Sequence, residues 1–330
     1  MRDDPDKVLE VFLGFWVSRT VMAAVDLGIF ELLHDQTLSA TEVGERLSLA
    51  LRPASAVLDT CVSVGLLERA NGNYRNSSLG NSFLWSGSEY SVRNYVLDER
   101  WCWSAWGRLE DALRTNAQTT PPDDEGYHTF PEDFFLDFLH GHSLAMGERM
   151  GLVTDLSDVK RIMDVGGGSG AVSIALCRRN PFLTAVVVDQ APVIAKTAEH
   201  VARAGLSERI ETASANVFGE ALPEGCDAAV LANFLHDFSE EKNRAVLARV
   251  HAALPIGGRV FLLEIVPDDE RTGPPLAVAF SAAMIVNTAG GDAYTAAQYR
   301  TWLEDTGFTE VRITPTQSKM VTAVIEARKA

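Results

Sequence analysis

Residues 161–171 read Arg-Ile-Met-Asp-Val-Gly-Gly-Gly-Ser-Gly-Ala. The first five are typical of a buried strand, and the glycines after them let backbone N–H groups and the N-terminus of the next helix approach a polar or anionic ligand closely. A tight strand-to-helix connection needs fewer glycines than this. The stretch therefore predicts a ligand-binding turn, to which we assign Asp164, Gly166, Gly168 and Gly170.

The identity of the ligand stays open at this turn. Gly166, Gly168 and Ala171 also fit the dinucleotide pattern G-x-G-x-x-G/A. Asp189 follows a run of apolar residues, where a strand-end carboxylate can accept hydrogen bonds from both hydroxyls of a ribose. NAD and S-adenosylmethionine both contain such a ribose, so both cofactors remain alternatives here.

Strand and helix patterns alternate downstream, which predicts a mostly parallel α/β sheet. Strands are expected at Arg161–Val165, Thr184–Val188, Asp227–Ala232, Arg259–Ile265, Phe308–Pro315 and Val321–Ala327, and helices at Ala171–Arg179, Pro192–Ala204, Glu240–Leu254 and Thr295–Asp305.

The N-terminal part is predicted to be mainly helical. Apolar residues recur at helical spacing from Val8 to about Leu33, and Ser39 with Glu42 fits a capping box. A further helix is expected at Pro53–Val64, followed by a hairpin around Asn71-Gly72; together these predict a winged helix. A polar linker with Pro and Gly begins near residue 119. We therefore expect three parts: a winged-helix domain at 1–120, a linker and the helix after it at 121–155, and a ligand-binding domain at 156–330.

The composition restricts the classes of partner. The 330 residues are 46% hydrophobic and 22% charged, which is typical of a globular protein with two packed cores. The formal net charge of −16 repels nucleic acids and acidic membrane surfaces. The acidic N-terminus does not resemble a signal peptide, and the apolar stretch Ala277–Val286 is shorter than the roughly 20 residues that cross a bilayer. The sequence thus predicts a cytoplasmic protein without nucleic-acid or membrane partners.

Three features together resemble one family: the winged-helix N-terminus, the turn from Asp164 to Gly170, and the motif His236-Asp237-Phe238. They resemble the S-adenosylmethionine-dependent small-molecule O-methyltransferases of the caffeic-acid, acetylserotonin and bacterial polyketide-tailoring type. The resemblance implies a Rossmann-like class I methyltransferase sheet, mostly parallel with a C-terminal antiparallel strand. It also implies a helical dimerisation domain, a homodimer, S-adenosylmethionine as the cofactor, and methylation of a small aromatic secondary metabolite, most simply at oxygen. By this resemblance, the middle part of the chain at 121–155 would line the substrate and the last part at 156–330 would bind the cofactor.

The resemblance further implies catalytic roles. His236 would be the general base, Glu264 at the end of the next strand would orient it, and Asp237 belongs to the same motif. The chemistry needs little more, because the sulfonium methyl is already electrophilic and the protein has to align the reactants and remove a proton. A histidine that titrates near neutrality suits that task. The alternatives are a histidine that only caps the turn, or a metal site, for which no third ligand stands at an obvious spacing.

By the same resemblance, the cofactor would also contact Asn233 and the segment Asn216-Val217-Phe218, which stands where the family has acid-hydrophobe-Phe. Two departures concern the base. A second family glutamate is replaced by Ala293, next to Asp292, and a frequent lysine is replaced by Ala232. These changes leave open methylation at carbon, nitrogen or sulfur of a small acid, and a non-methylating reaction.

Aromatic, polar and methionine side chains lie where the family's acceptor-lining helices fall, and aromatic faces suit a flat ring. Ordinary core packing is the alternative for each of them. The candidates are Trp103, Trp106, Phe130, Phe134, Phe138, His140, His142, Met146, Met284 and Asn287.

Two other classes of protein fit the sequence less well than the methyltransferase. An NAD-type oxidoreductase would elaborate its sheet differently from the predicted C-terminal pair of strands at Phe308–Pro315 and Val321–Ala327. A winged-helix regulator would need a basic recognition helix, but Arg52 is nearly the sole cation between Ser48 and Leu67. The methyltransferase is therefore the leading prediction.

Overall fold

The computed structural model of the chain describes residues 4–120 and 132–330, with side chains described at 4–120 and 139–330. Contacts between Cα atoms divide it into two units, Met1–Trp103 and Ser104–Ala330. The division into parts at residues 120 and 155 stays a prediction.

The first unit is a helical domain with a small sheet, as predicted. Ser39 Oγ accepts a hydrogen bond from the Glu42 N–H, and the Glu42 carboxylate accepts one from the Ser39 N–H, so the capping box is present. Asn71 and Gly72 both have positive φ, as a two-residue hairpin turn requires. The sheet has the order β1-β3-β2. The elements are α1 Pro5–Asp26, α2 Ile29–Leu32, β1 Leu38–Ser39, α3 Ala40–Leu47, α4 Leu51–Ser63, β2 Leu67–Ala70, β3 Asn73–Asn76, α5 Ser78–Phe83 and α6 Arg93–Trp101.

Helix α1 carries an exposed apolar surface. It is long and apolar enough to cross a membrane by length and composition, and little of it is buried within its unit. Its large exposed side chains include Val8, Val11, Phe12, Phe15 and Trp16. The apolar stretch Ala277–Val286 lies in a shorter helix of 13 residues. The apolar surface of α1 therefore needs a covering surface.

The second unit is built around a twisted sheet of order β6-β5-β4-β7-β8-β10-β9 in the described residues. The first five of these strands pair in parallel, whereas β10 runs antiparallel to both β8 and β9. The predicted fold class is thereby confirmed. The elements are α7 Trp103–Trp106, which spans the division between the units, α8 Leu109–Thr115, α9 Glu132–Val153, β4 Arg161–Val165, α10 Ala171–Arg179, β5 Thr184–Asp189, α11 Ala191–Arg203, β6 Ile210–Ser214, β7 Ala228–Ala232, α12 Glu240–Ala253, β8 Arg259–Ile265, α13 Pro275–Asn287, α14 Ala296–Thr306, β9 Phe308–Pro315 and β10 Thr322–Lys329.

Strand register brings the functional segments to one edge. Val165 of β4 is level with Val188 of β5, and Ala232 of β7 is level with Leu263 of β8. The residues that follow these strands therefore lie along the carboxyl edge of the sheet, where open α/β sheets bind ligands. On one face of the sheet, a buried cluster that includes Trp302 and Tyr299 packs against β7 and β8.

Candidate active site

The glycine turn connects β4 to α10. Gly166, Gly168 and Gly170 have φ of +68°, +53° and +73°, a left-handed conformation that strains residues with side chains. A Cβ at Gly166 would collide with the ring of Phe234, whereas a Cβ at Gly168 would meet open space. The turn is therefore covered by Phe234 at Gly166, whereas at Gly168 it leaves space for a ligand.

Asp189, at the end of β5, is brought together with this turn. Its Oδ2 accepts a hydrogen bond from the Gly168 N–H at 2.9 Å, and its Oδ1 accepts one from the Gln190 N–H at 2.7 Å. Burial raises the pKa of Asp189. Each carboxylate oxygen has a second acceptor site, so the residue retains capacity for ribose hydroxyls.

Asp164 lies under the turn. It is 1% exposed, and its carboxyl carbon packs so closely on Gly167 that a Cβ there would come within 2.7 Å. Its Oδ2 accepts a hydrogen bond from the Ser173 hydroxyl at 2.7 Å, while Oδ1 is buried without a hydrogen-bond partner among the described residues. Burial raises the pKa of Asp164 to about 6. Asp164 thus supports the turn, and a direct contact with the cofactor stays a prediction.

The segment after β6 contains the predicted adenine contacts. Asn216 is exposed, and its side-chain oxygen already accepts a hydrogen bond from the Phe218 N–H at 3.0 Å, whereas Val217 is buried. The Phe218 ring lies 6.1 Å from the Phe234 ring and 4.8 Å from the Phe238 ring, between centroids. The three rings form an aromatic cluster beside the glycine turn.

His236 and Glu264 are in direct contact. His236 lies in the short 3-10 turn Leu235–Asp237 that follows β7, and Glu264 is a fully buried residue of β8. His236 Nδ1 lies 2.6 Å from Glu264 Oε2. The other carboxylate oxygen accepts hydrogen bonds from the N–H groups of Phe234 and Leu235, at 3.0 and 2.8 Å. Glu264 therefore holds both the imidazole and the backbone of this turn.

The protonation of His236 is governed by opposing effects. Burial lowers its pKa, but the charge and hydrogen bond of Glu264, with the charge of Asp237, outweigh burial and raise the pKa to about 9. Asp237 Oδ1 lies 3.6 Å from His236 Nε2, and burial raises the pKa of Asp237. Because an ionised carboxylate only accepts hydrogen bonds, Nδ1 carries a hydrogen and Nε2 is the nitrogen that exchanges a proton.

The segment that departs from the family pattern packs against the same turn. Ala293 is fully buried, and the Asp292 carboxylate pairs with the Arg271 guanidinium, the closest N–O distance being 2.8 Å. The Asp292 N–H donates to the His236 carbonyl oxygen at 3.0 Å. Asp292 thus supports the backbone of His236 while its side chain is turned to Arg271.

Several predicted acceptor residues lie in the second unit. Met146 of α9 is buried, and its sulfur accepts a hydrogen bond from Asn233 Nδ2 at 3.5 Å, which joins a predicted acceptor contact to a predicted cofactor contact. Met284 of α13 is also buried. Asn287 ends that helix and accepts a hydrogen bond from the Thr120 hydroxyl at 2.6 Å. Burial lowers the pKa of His142.

Other candidates have different surroundings. Trp103 lies in the first unit, 6.5 Å from the Phe15 ring, and Trp106 is half-buried in the second. His140 Nδ1 lies 2.9 Å from Ser169 Oγ, so this histidine contacts the glycine turn. The side chains of Phe130, Phe134 and Phe138 lie outside the described residues.

Phe280 was not predicted. Its ring stands edge-on to the His236 imidazole, with centroids 5.0 Å apart. The sequence signal was the apolar stretch Ala277–Val286, but a helix that is apolar on all sides does not indicate which side chain faces the site.

These residues fit S-adenosylmethionine. The open side of the turn at Gly168 leaves room for a ligand, Asp189 retains acceptor capacity for a ribose, and the aromatic cluster suits a flat base. Among the described residues, no group of three or more His, Cys, Asp or Glu side chains could hold a metal ion.

The sheet order, the antiparallel β10 and the glycine turn at the carboxyl edge define a class I S-adenosylmethionine-dependent methyltransferase fold. A sequence model of the O-methyltransferase domain matches residues 128–309, and one of the O-methyltransferase dimerisation domain matches residues 9–86. The chain belongs to this family of O-methyltransferases. It is therefore an enzyme whose cofactor is S-adenosylmethionine, and the NAD-type alternative is set aside.

Relatives match along nearly the whole chain. The 3-hydroxy-5-methyl-1-naphthoate 3-O-methyltransferase of Streptomyces sahachiroi is 38% identical over 331 residues, which cover 99% of this chain and 96% of the relative. The tetracenomycin polyketide synthesis 8-O-methyl transferase TcmO of Streptomyces glaucescens is 30% identical, covering 94% and 93%. The crystal structure of human N-acetylserotonin methyltransferase in complex with S-adenosylmethionine superposes with a TM-score of 0.88 at 27% identity, covering 100% and 99%.

Proposed function

We propose that this enzyme methylates a phenolic hydroxyl of a small aromatic polyketide-type acid, with His236 as the general base. The observation that carries this proposal is the contact of His236 Nδ1 with the buried carboxylate of Glu264 at 2.6 Å. That contact fixes the tautomer and leaves Nε2 as the nitrogen that removes the hydroxyl proton. Asp237, the last residue of the same turn, adds negative charge near Nε2.

The cofactor would be held by the glycine turn and by the strand ends beside it. Gly166, Gly168 and Gly170 shape the turn, Asp164 supports it from below, and Asp189 accepts the ribose hydroxyls. Asn216, Val217 and Phe218 would contact the adenine, and Asn233 would line the space near Met146. When bound, S-adenosylmethionine supplies an electrophilic methyl group and a positive charge, and such a charge lowers the pKa of a neighbouring imidazole.

The charge state of His236 decides when its imidazole can act as a base. With a pKa near 9 in the free protein, its imidazole carries two protons at neutral pH and is not yet a base. His236 would reach its basic form in the loaded enzyme. The hydroxyl proton then passes to Nε2, and the resulting imidazolium is stabilised by Glu264.

An aromatic acceptor is supported by the apolar surroundings of His236. Phe280 stands edge-on to the imidazole, and Met284, also buried, lies four residues after Phe280 on α13. Met146 of α9 is buried and contacts the Asn233 side chain, three residues before His236. The relative from Streptomyces sahachiroi bears the name of a hydroxynaphthoate methyltransferase. We therefore propose a hydroxylated naphthoate-type ring as acceptor, with Trp106, Phe138, His142 and Asn287 as further lining residues.

The test is a transfer assay with 13C-methyl S-adenosylmethionine. The probes are 3-hydroxy-5-methyl-1-naphthoate and matched aromatic thiols, amines and carboxylic acids, with the labelled position read by NMR. We expect an aryl methyl ether, and a turnover roughly 100-fold or more lower in His236→Ala, the usual contribution of a general base. Calorimetry should show S-adenosylmethionine binding to both proteins and no heat with NAD. Label on carbon, nitrogen or sulfur, or wild-type turnover in His236→Ala, would contradict the proposal.

We also propose that the enzyme is a cytoplasmic homodimer that associates through its N-terminal part. The match of residues 9–86 to the dimerisation domain supports this, as does the exposed apolar surface of α1. A second copy of the chain would cover side chains such as Val11 and Phe12. The division into residues 1–120, 121–155 and 156–330 would then separate dimerisation, acceptor lining and cofactor binding.

A further inference from the structure

We propose that the ion pair of Arg271 and Asp292 positions His236 for catalysis by holding residues 290–292 against the backbone of the His236 turn. This inference rests on the proposed role of His236 as the base. Neither Arg271 nor Asp292 contacts the imidazole through its side chain in the described hydrogen bonds, so both are positioning residues.

The first step is the contact with the backbone of His236. The Asp292 N–H donates a hydrogen bond to the His236 carbonyl oxygen at 3.0 Å. Gly291 packs on the same oxygen so closely that a Cβ at position 291 would collide with it. The Gly291 N–H in turn donates to the Thr288 hydroxyl at 2.8 Å, just after α13. A displacement of residues 290–292 would therefore displace the His236 turn.

The second step is the ion pair itself. The Arg271 guanidinium reaches both carboxylate oxygens of Asp292, at 2.8 and 3.3 Å, and this two-point geometry fixes direction as well as distance. The Asp292 Oδ1 also accepts a hydrogen bond from the Ala293 N–H at 2.8 Å. The side chains of Arg271 and Asp292 are 36% and 35% exposed, so water weakens the pair without separating it.

The third step is the conformation of Arg271. Its φ is +54°, a left-handed conformation that a residue with a side chain keeps only where its surroundings impose it. The Arg271 N–H donates to the Asp268 carbonyl oxygen at 3.0 Å, and the Thr272 N–H donates to the Asp268 carboxylate at 2.7 Å. The compact turn that begins at Asp268 thus presents the guanidinium to Asp292.

Both supports of His236 therefore originate from one strand and the loop after it. Strand β8 provides Glu264, which contacts the imidazole. The loop that follows β8 provides Arg271, which binds the Asp292 carboxylate, and the Asp292 N–H in turn donates to the His236 carbonyl oxygen. The 2.6 Å contact between Nδ1 and Glu264 depends on where the turn lies. Releasing residues 290–292 should lengthen this contact and weaken the hold of Glu264 on the imidazole proton.

The direct test is the pKa of the His236 ring, measured by NMR on 15N-histidine-labelled, cofactor-free protein and assigned by comparison with His236→Asn. We expect a fall of about one pH unit or more in Arg271→Gln and in Asp292→Asn, with no further fall in the double variant. The control is Asp305→Asn, because it removes a partner of Arg244 at the same 2.8 Å distance and because Arg244 is also 36% exposed. That control should leave the ring pKa unchanged.

Turnover provides the second readout, with 3-hydroxy-5-methyl-1-naphthoate as probe. We expect kcat to fall about tenfold in the two single variants, since a small misplacement of a catalytic group is costly, while KM for S-adenosylmethionine stays within about twofold. If Arg271→Gln does not fold, Arg271→Lys keeps the charge but loses the two-point contact and should show an intermediate ring pKa.

The two proposals fail in different ways. Wild-type turnover in His236→Ala would refute the general-base role, while the ring pKa would still report whether Arg271 positions the turn. An inactive His236→Ala, combined with wild-type ring pKa and kcat in Arg271→Gln and Asp292→Asn, would overturn the positioning role and leave the base intact.

Discussion

The ring of Phe234 covers Gly166 so closely that any Cβ at position 166 would collide with it. Phe234 immediately precedes the turn that carries His236, and Gly166 begins the turn assigned to the cofactor. The two functional turns are therefore packed against each other at this point, although Gly166 and Phe234 are 68 positions apart in the sequence.

The contact of Phe234 with Gly166 gives the first prediction. Gly166→Ala should lower the free energy of unfolding by about 1–3 kcal/mol, the usual cost of overpacking, and should weaken S-adenosylmethionine binding. Combining it with Phe234→Ala, which removes the ring, should recover part of the loss. Urea unfolding and calorimetry on the two single variants and the double variant measure this coupling, and purely additive effects would refute the close contact.

The open side of the turn gives the second prediction. Gly168→Ala should weaken S-adenosylmethionine binding at least about tenfold, because the added methyl group would occupy the space assigned to the ligand, and should cost about 1 kcal/mol of stability for the left-handed backbone. The matched control is Gly205→Ala, whose φ is +70° and whose Cβ would also meet open space. Gly205→Ala should show the same loss in unfolding experiments with unchanged affinity. Equal affinity in both variants would exclude Gly168 from the cofactor site.

The pH dependence of stability gives the third prediction. The pKa of His236 is raised from 6.5 to about 9 in the folded chain, so the folded state binds its proton more tightly than the unfolded state. This contribution is fully present below pH 6.5 and is lost as the pH rises through 9. Over that window the free energy of unfolding should fall more steeply in the wild type than in His236→Asn, by up to about 1.4 kcal/mol per pH unit. Parallel curves from urea titrations at pH 6 to 9.5 would contradict the raised pKa.

The apolar surface of α1 gives the fourth prediction. The double variant Val11→Glu/Phe12→Glu should shift the protein from dimer to monomer in sedimentation experiments, because the charges would be buried in the interface. Phe182→Glu is the control, since Phe182 is 94% exposed and lies outside the dimerisation match at residues 9–86. A wild-type protein that is monomeric, or that floats with lipid vesicles, would refute the homodimer proposal.

Much of the fold could be predicted because its signals are local. A few neighbouring residues are enough to predict each of three elements. These are the strand and turn at 161–171, the capping box at Ser39 and the hairpin at Asn71-Gly72. Strand β6 was missed because it is an edge strand whose residues, Ile210–Ser214, are mostly polar and partly exposed. Helix α13 was missed because its uniformly apolar sequence lacks a periodic pattern.

The candidate site was less accessible from sequence, because it depends on residues that are distant along the chain. The family resemblance predicted that Glu264 would orient His236, and in the structure the two side chains are in contact because β7 and β8 are neighbours. The contacts of Phe280 with the imidazole and of Arg271 with Asp292 come from loops and helix orientation, which no local pattern specifies. The family resemblance indicated that Ala293 replaces a glutamate. It did not indicate that the neighbouring Asp292 pairs with Arg271 and donates a backbone hydrogen bond to His236.

The hydrogen bond from the Gly168 N–H to Asp189 has a kinetic consequence. This hydrogen bond holds the glycine turn in place within the protein itself, so the turn already has its shape before the methyl donor binds. Little of the chain then has to become ordered on binding. Capture of the donor should then proceed at a rate set by diffusion and access to the pocket. Differences in affinity among variants of this turn should arise mainly from how long the donor stays bound.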